Sequence, residues 1–352
     1  MATSSFQTSE LQEFAAEILC RVGVPRGDAE WVAEALVSAD LQGLDSHGIS
    51  RLGAYVSGIV RGKVNPNPFI EVRSTGPCTA VVDGDNGLGH VVGRRAMETA
   101  VDMAKGAGVG VVTVRNGNHA GAMSTYSEVA TDAGMIGVAL CNAQPAIPPW
   151  GGRKAFFGTN PIAVASPCGE HPISIDMATS VVARGKIILS AKKGEPIPEG
   201  WALDESGNPT TDASAALRGA VLPMAGAKGY GLALAVEILS GVLSGAKVGS
   251  QVGSIYDDEP SSPGTGMFMM ALNPDYFVGA AAYTERIQAL ADAIHAVPPA
   301  YGHERVLLPG ERRRHLRQVR EREGIPLSAA TVQELEELAK RYQVRMPAAE
   351  RV

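Results

Sequence analysis

The chain has 352 residues, 45% of them hydrophobic and 19% charged, with a net charge of −6. This length buries a large core and predicts two domains, and the composition is that of a globular chain. The negative balance argues against nucleic acid or an anionic membrane as partner. Cys20, Cys78, Cys141 and Cys168 are scattered without a C-x-x-C pair, which indicates neither a zinc site nor a disulfide framework.

No basic segment followed by an apolar run opens the chain. The longest apolar candidate, Gly231 to Leu243, is interrupted by Glu237, Ser240 and Gly241. The expectation is a cytoplasmic protein with no membrane contact.

Residues 9–22 predict an amphipathic helix with Ser9 as N-cap, a buried stripe of Leu11, Phe14, Ile18 and Val22, and Gly23 at its end. Pro25 and Asp28 open a second helix carrying Trp31, Ala35, Leu36 and Ala39. A third follows Asp45-Ser46-His47-Gly48 and runs to Gly62, with Ile49, Leu52, Val56 and Ile59 at helical spacing. On it, His47, Arg51 and Tyr55 fall in one row. That row offers a proton carrier near neutrality, a fork for a carboxylate and a phenol. Read locally, the same residues are a capping histidine and a solvated arginine. Asn65-Pro66-Asn67-Pro68 then closes the helical unit.

Beyond it, Thr79 to Val82 predicts a strand, Gly84 to Gly89 a turn, Val92 to Gly106 a helix and Gly108 to Val114 a strand. Gly87-x-Gly89-x-x-x-Gly93 invites a dinucleotide-cradle reading, with Arg115 placed for a 2′-phosphate, although its spacing is not the usual fingerprint. A tight turn beside the site accounts for the same glycines. Asn118-His119-Ala120-Gly121-Ala122 lies between this strand and a helix from Tyr126 to Ala133, at a natural anion or cofactor seat. Strands are expected at Ile136 to Cys141, Ile162 to Ala165 and Ile173 to Ile175.

Gly158-Thr159-Asn160-Pro161, Asp176-Met177-Ala178-Thr179 and Ala183-Arg184-Gly185-Lys186 supply polar loops and a basic pair for a carboxylate or phosphate. Lys192 to Thr211 is a polar surface excursion. Lys228-Gly229-Tyr230-Gly231 opens a long apolar helix, whose positive end suits phosphate or, equally, close helix packing. Residues 257–266 form a Gly/Pro/Ser loop before a strand at Met267 to Leu272. Thr284 to Ala296 predicts a helix with Ile287, Leu290, Ala291 and Ile294 inward. Pro309-Gly310-Glu311-Arg312 starts another, and Ser328 caps a last one through Leu335, Leu338 and Tyr342.

With these motifs in this order over nearly the whole chain, the sequence resembles the malate/L-lactate dehydrogenase-like family of NAD(P)-dependent oxidoreductases. The family also includes sulfolactate and ureidoglycolate dehydrogenases and cyclic-imine carboxylate reductases.

The resemblance implies an α/β fold with a non-Rossmann, mixed-sheet cofactor domain (73–300) and a separate helical domain from both chain ends (1–72 and 301–352). It also implies a homodimer with NAD or NADP as cofactor, a small carboxylate substrate and no metal. It makes His47 the proton carrier with Ser46 beside it. Arg51, Tyr55, Thr159, Arg184 and Gly185 become substrate contacts. His119, Ala120, Gly121, Ala122, Met123, Asp176, Met177, Ala178, Lys228, Gly229, Pro309, Gly310, Glu311 and Arg312 become cofactor contacts.

One departure bears on the reaction. The cyclic-imine reductases carry an acid where this chain has Lys186, which cannot orient an imidazolium as a carboxylate does. That favours the hydroxy-acid branch, with the imine reductases and a silent ligand binder as rivals. Trp201 to Thr211 and Ser254 to Asp258 look closest to the ureidoglycolate enzymes. Adjacent Asp45, Ser46 and His47 cannot form a hydrolase triad, and no G-x-S-x-G elbow occurs.

Overall fold

The computed structural model describes residues 4–256 and 261–349. Asp257 and Asp258, with part of the expected 257–266 loop, lie outside the described residues.

The first strand, β1 (Ser4–Phe6), precedes α1 (Thr8–Arg21), α2 (Arg26–Leu41) and α3 (Leu52–Val60). Their apolar faces close one core: Leu11, Phe14 and Ile18 of α1 meet Val32, Leu36 and Val37 of α2 and Leu52 and Val56 of α3. Gln7, not Ser9, holds the N-cap position of α1, so Ser9 lies within the first turn. The C-terminal end returns to this core. β12 (Ile325–Leu327) pairs antiparallel with β1, and α11 (Ala329–Tyr342) adds Leu335 and Ala339. Ser328 caps α11 through Thr331 N at 3.2 Å, as its position predicts.

The remaining framework is a seven-stranded sheet in the order β2 (Glu71–Gly76), β3 (Thr79–Asp83), β4 (Val109–Gly117), β11 (Thr265–Leu272), β5 (Ile136–Cys141), β6 (Ile162–Ser166), β7 (Ile173–Met177). Only β3 and β4 run parallel, and every other neighbouring pair is antiparallel. The sheet is therefore mixed rather than doubly wound.

On one face, α4 (Gly89–Ala107) and α5 (Ser124–Asp132) bury Val92, Met97, Ala100 and Tyr126 against Val82, Val112, Val114 and Met269. Each such large side chain contributes roughly 1.5–3 kcal/mol. On the other face lies α8 (Ala227–Val236), whose Val236 meets Leu140 and Phe268. Its continuation, Glu237–Val242, widens into a π-turn.

Three segments complete the fold. α6 (Arg184–Lys193), the short strands β8 (Ala202–Leu203), β9 (Pro209–Thr210) and β10 (Ala220–Val221), and α7 (Ala213–Arg218) enclose Ile187, Ile197, Ala202 and Ala216. The Lys192–Thr211 stretch is thus not a bare excursion, because Ile197 and Ala202 anchor it in a small core of its own. α9 (Ala280–His295) buries only Ala291, and Leu290, expected inside, is 53% exposed. α10 (Glu311–Glu323) runs from the β7 edge to the helical cluster.

Candidate active site

His47, Arg51 and Tyr55 do not share one uninterrupted helix. Asp45–His47 and Ile49–Arg51 are two short 3-10 turns broken at Gly48, and only Tyr55 lies within α3. The cause is Asp40, near the end of α2. Its buried carboxylate accepts Ile49 N–H at 2.6 Å. It lies so close that a Cβ on Gly48 would stand 1.9 Å from its Oδ1. Helical spacing could not reveal this, since the interrupting group belongs to another element.

The break still brings the expected side chains together. Ser46 Oγ lies 2.9 Å from His47 Nδ1. Arg51 Nε donates to Ser46 O at 2.5 Å, and its guanidinium sits 5.3 Å over the Tyr256 ring. The Tyr55 hydroxyl lies 2.7 Å from His119 Nδ1, and the His119 ring stacks on His47 at 5.9 Å. At Gly185, a Cβ would stand 3.7 Å from Ser46 Cβ, so the start of α6 abuts the histidine turn.

His119 is carried by the loop after β4, and Asn118 staples that loop. Its Nδ2 donates to Asn86 O at 2.8 Å, Asn86 Oδ1 at 2.9 Å and Gly87 O at 3.0 Å. Gly89 permits the approach, since a Cβ there would come within 2.4 Å of the Asn118 and His119 carbonyls. The glycine run is thus a tight turn against the site. Arg115 is engaged with Asp83 at 3.0 Å. Ala120 and Met123 bury their side chains in the sheet core, while Gly121 (φ +66°) and Ala122 remain half-buried.

Asp176 closes β7 and accepts Ser124 N–H at 2.9 Å, capping α5. Met177 beside it is 42% exposed, and Ala178 is half-buried. Thr159 O accepts from Thr179 N at 2.8 Å and Thr179 Oγ1 at 2.9 Å. Thr179 O in turn accepts Met224 N at 2.9 Å, which brings in the segment leading to Lys228 and Gly229. Arg184 donates to Leu217 O at 3.3 Å. Pro309 O accepts Ser174 N at 3.1 Å, and Gly310 (φ +96°) lies against the same residue. Glu311 accepts Leu308 N at 3.0 Å and pairs with His295 at 3.0 Å, while Arg312 is exposed.

Burial, then the nearby Arg51 charge, holds His47 below its ordinary range, with Asp176 opposing. Burial, with the neighbouring His47, His90 and Arg51, pushes His119 well below it. His90, edge-on to Tyr55 at 5.4 Å, is driven down to about 4, mainly by burial. The cluster therefore holds neutral imidazoles at neutral pH.

Sequence reasoning missed Asp40, His90, Tyr256 and Arg313 as members of this neighbourhood. It also missed Glu237, although an acid inside an apolar run was a signal. The Glu237 carboxylate accepts from Asn142 Nδ2 at 3.2 Å, Gly249 N at 2.7 Å and Asn160 Nδ2 at 2.8 Å. It thereby sets the turn that carries Thr159.

The malate/L-lactate dehydrogenase family model matches residues 6–336. L-sulfolactate dehydrogenase of Methanocaldococcus jannaschii is 46% identical over 296 residues, covering 84% of this chain and 85% of that protein. The solved structure of sulfolactate dehydrogenase from that organism matches with a TM-score of 0.91 at 40% identity, covering 97% of this chain and 98% of that one. Malate dehydrogenase of Pyrococcus horikoshii is 41% identical over 344 residues, 95% and 94% of the two chains. Ureidoglycolate dehydrogenase (NAD(+)) of Escherichia coli strain K12 is 39% identical over 294 residues, 83% and 84%. The fold, with its mixed sheet, is thus one found among hydroxy-acid dehydrogenases. The chain belongs to the malate/L-lactate dehydrogenase family.

Proposed function

We propose that the protein is an oxidoreductase interconverting a small 2-hydroxy acid and its 2-oxo acid with NAD or NADP. The observation that carries this reading is the convergence of His47, with Ser46 on its Nδ1, and Arg51 on one short turn beside His119.

The residues fit a dinucleotide. Lys228 adds a cation near the start of α8, Met177 is exposed at the end of β7, and Gly121 and Gly310 let their loops close on His90 and Ser174. His119 to Met123, Asp176 to Ala178, Lys228, Gly229 and Pro309 to Arg312 would hold it. Bound there, the nicotinamide would accept or deliver hydride at C2 of the substrate.

His47 supplies the proton chemistry. With Nδ1 engaged by Ser46, its Nε2 is left to take the substrate hydroxyl proton in oxidation and return it in reduction. Arg51, held by Ser46 O and Tyr256, presents its fork to the C1 carboxylate and orients C2. Tyr55, Thr159, Arg184 and Gly185 line the rest of the substrate region in this reading. Lys186 is exposed just past Gly185, so that segment supplies no acid to Ser46, which favours the hydroxy acid over the cyclic imine.

We also read the helical cluster as a separate domain from residues 1–72 and 301–352, with 73–300 as cofactor and substrate domain. The protein is read as a homodimer, supported by the exposed Leu232, Ile238, Val242 and Leu243 along α8 and its π-turn. Four free cysteines support a reducing cytoplasm. Among the described residues no helix is long and apolar enough to cross a membrane.

The test is turnover of malate, sulfolactate, lactate and ureidoglycolate and of the matching oxo acids, with NAD(H) and NADP(H), beside a cyclic 2-carboxy imine. Turnover of a hydroxy acid supports the reading. Reduction of the imine alone, or no turnover with any of them, ends it.

A further inference from the structure

Two arginines on α10 reach to different parts of the fold. Arg313 donates from Nη1 to Ser124 Oγ at 3.1 Å, and from Nη2 to Ser174 O at 2.8 Å and Ser174 Oγ at 3.0 Å. Those partners stand at the N-terminus of α5 and on β7, where Asp176 also holds Ser124 N–H at 2.9 Å. Arg320 donates from Nη1 to Asp40 O and to Asp45 Oδ1, the latter at 2.7 Å. The two arginines are seven residues, or two turns, apart. They therefore share one face at a separation of about 10.5 Å along the axis. Between them Leu316 packs at Gly43, where an added Cβ would meet Leu316 Cδ2 at 2.4 Å.

Arg320 holds the near side of the histidine turn, at Asp40 O and Asp45 Oδ1. Asp40 stands on its near side, and the Asp40 carboxylate, by accepting Ile49 N–H, also holds its far side. Ser46 and His47 lie between these points. The Arg320 side chain is 14% exposed, whereas the neighbouring pair Arg317–Glu321 is 41% and 49% exposed. An exposed pair of that kind adds little rigidity. Arg320 instead spends one bond on a main-chain carbonyl, which defines a position rather than a charge balance.

We propose that α10 is a strut: a dinucleotide seated against its N-terminal segment, Pro309 to Arg313, sets the Ser46–His47 turn through Arg320, which acts as a positioning residue. The proposal rests on the functional reading above, which places the dinucleotide at Pro309 and the proton transfer at His47. A helix of this length moves as a rod, so a shift at Gly310 is carried to Arg320.

Hydrogen exchange of the full chain tests it, with NADH and separately NADPH, on the wild type and on Arg320→Ala and Arg320→Lys. In the wild type, saturating dinucleotide is expected to slow exchange both in peptides covering 119–126 and 174–178 and in those covering 40–51. In Arg320→Ala the first set stays protected and the second does not. The kcat falls by about tenfold to a hundredfold, as a displaced catalytic group costs, while KM changes far less. Arg320→Lys recovers part of the 40–51 protection.

A variant that keeps ligand-dependent protection of 40–51 and near-normal kcat overturns the strut. So does one that only melts earlier with both peptide sets still responding together. If Arg320→Ala does not fold, the same readings are taken from Arg320→Lys. Wild-type protection at 119–126 with none at 40–51 sinks the strut alone. No protection anywhere with either dinucleotide sinks the functional reading and the strut with it.

Discussion

The rings of His47 and His119 stand 5.9 Å apart with only 17° between their planes, and Tyr55 holds the far side of His119. Burial, then the Arg51 charge, holds His47 low, and burial followed by the His47, His90 and Arg51 charges holds His119 low, so the pair stays neutral where a surface histidine would begin to protonate. The 2.7 Å contact between the Tyr55 hydroxyl and His119 Nδ1 fixes the ring of His119 against that of His47. Electrostatics thus favours His47 in its base form.

His47→Ala is therefore expected to lower kcat by roughly 100- to 10,000-fold, the usual worth of a positioned acid or base. Dinucleotide affinity should stay near the wild-type value, because the proposed role of His47 is toward the acid and not the cofactor's phosphates. Steady-state kinetics and fluorescence titration with NADH and NADPH check both halves. Near-normal turnover would end the assignment of His47.

Arg51→Lys is expected to raise KM for the acid by about tenfold or more with a smaller change in kcat. An ammonium cannot form two parallel bonds to a carboxylate, nor lie flat over Tyr256. A variant losing only kcat, with KM unchanged, would contradict a role in capturing the carboxylate.

Stability should fall in acid through His90. Its folded value is about 4 against an ordinary value near 6.5, so between those limits the unfolded chain binds a proton that the folded chain refuses. The stabilisation is complete above about 6.5 and is lost as pH falls to about 4, by roughly 3 kcal/mol. Asp40 acts with the opposite sign. Burial raises its carboxyl to about 7, so its contribution weakens stability as pH rises from about 4 toward 7. Urea midpoints of wild type and His90→Asn between pH 4.5 and 7 separate the two: without His90 the Asp40 contribution stands alone, so the variant should gain stability relative to wild type as pH falls. An unchanged slope would show that His90 is not the group responsible.

Val242→Lys is expected to weaken self-association without unfolding the monomer. Val242 is 62% exposed on the π-turn, beside Leu243 at 58% and Ile238 at 49%. An interfacial charge there has no partner and costs several kcal/mol on association. Sedimentation of both proteins across a concentration series decides it. A wild type that stays monomeric at all concentrations would remove the homodimer reading.

Local order was legible wherever the responsible forces were local. The stripe of Leu11, Phe14 and Ile18, the cap at Ser328 and the strand from Ile136 to Cys141 follow from spacing and side-chain type, and the structure contains them. The motifs around His47, His119, Asp176 and Pro309 were also visible as motifs, because a short run of unusual residues needs no fold to be noticed.

The break at Gly48 and the choice of Arg313 among three consecutive arginines were not legible. Helical periodicity ran unbroken from Ile49 to Ile59, yet a carboxylate from α2 claims Ile49 N–H and ends it. Arg312, Arg313 and Arg314 are alike in sequence, and only the phase of α10 against β7 turns the middle one to Ser174. Spacing along the chain determines which side chains share a face. Packing of distant elements decides what that face meets, since burial and hydrogen-bond satisfaction are properties of the assembled chain.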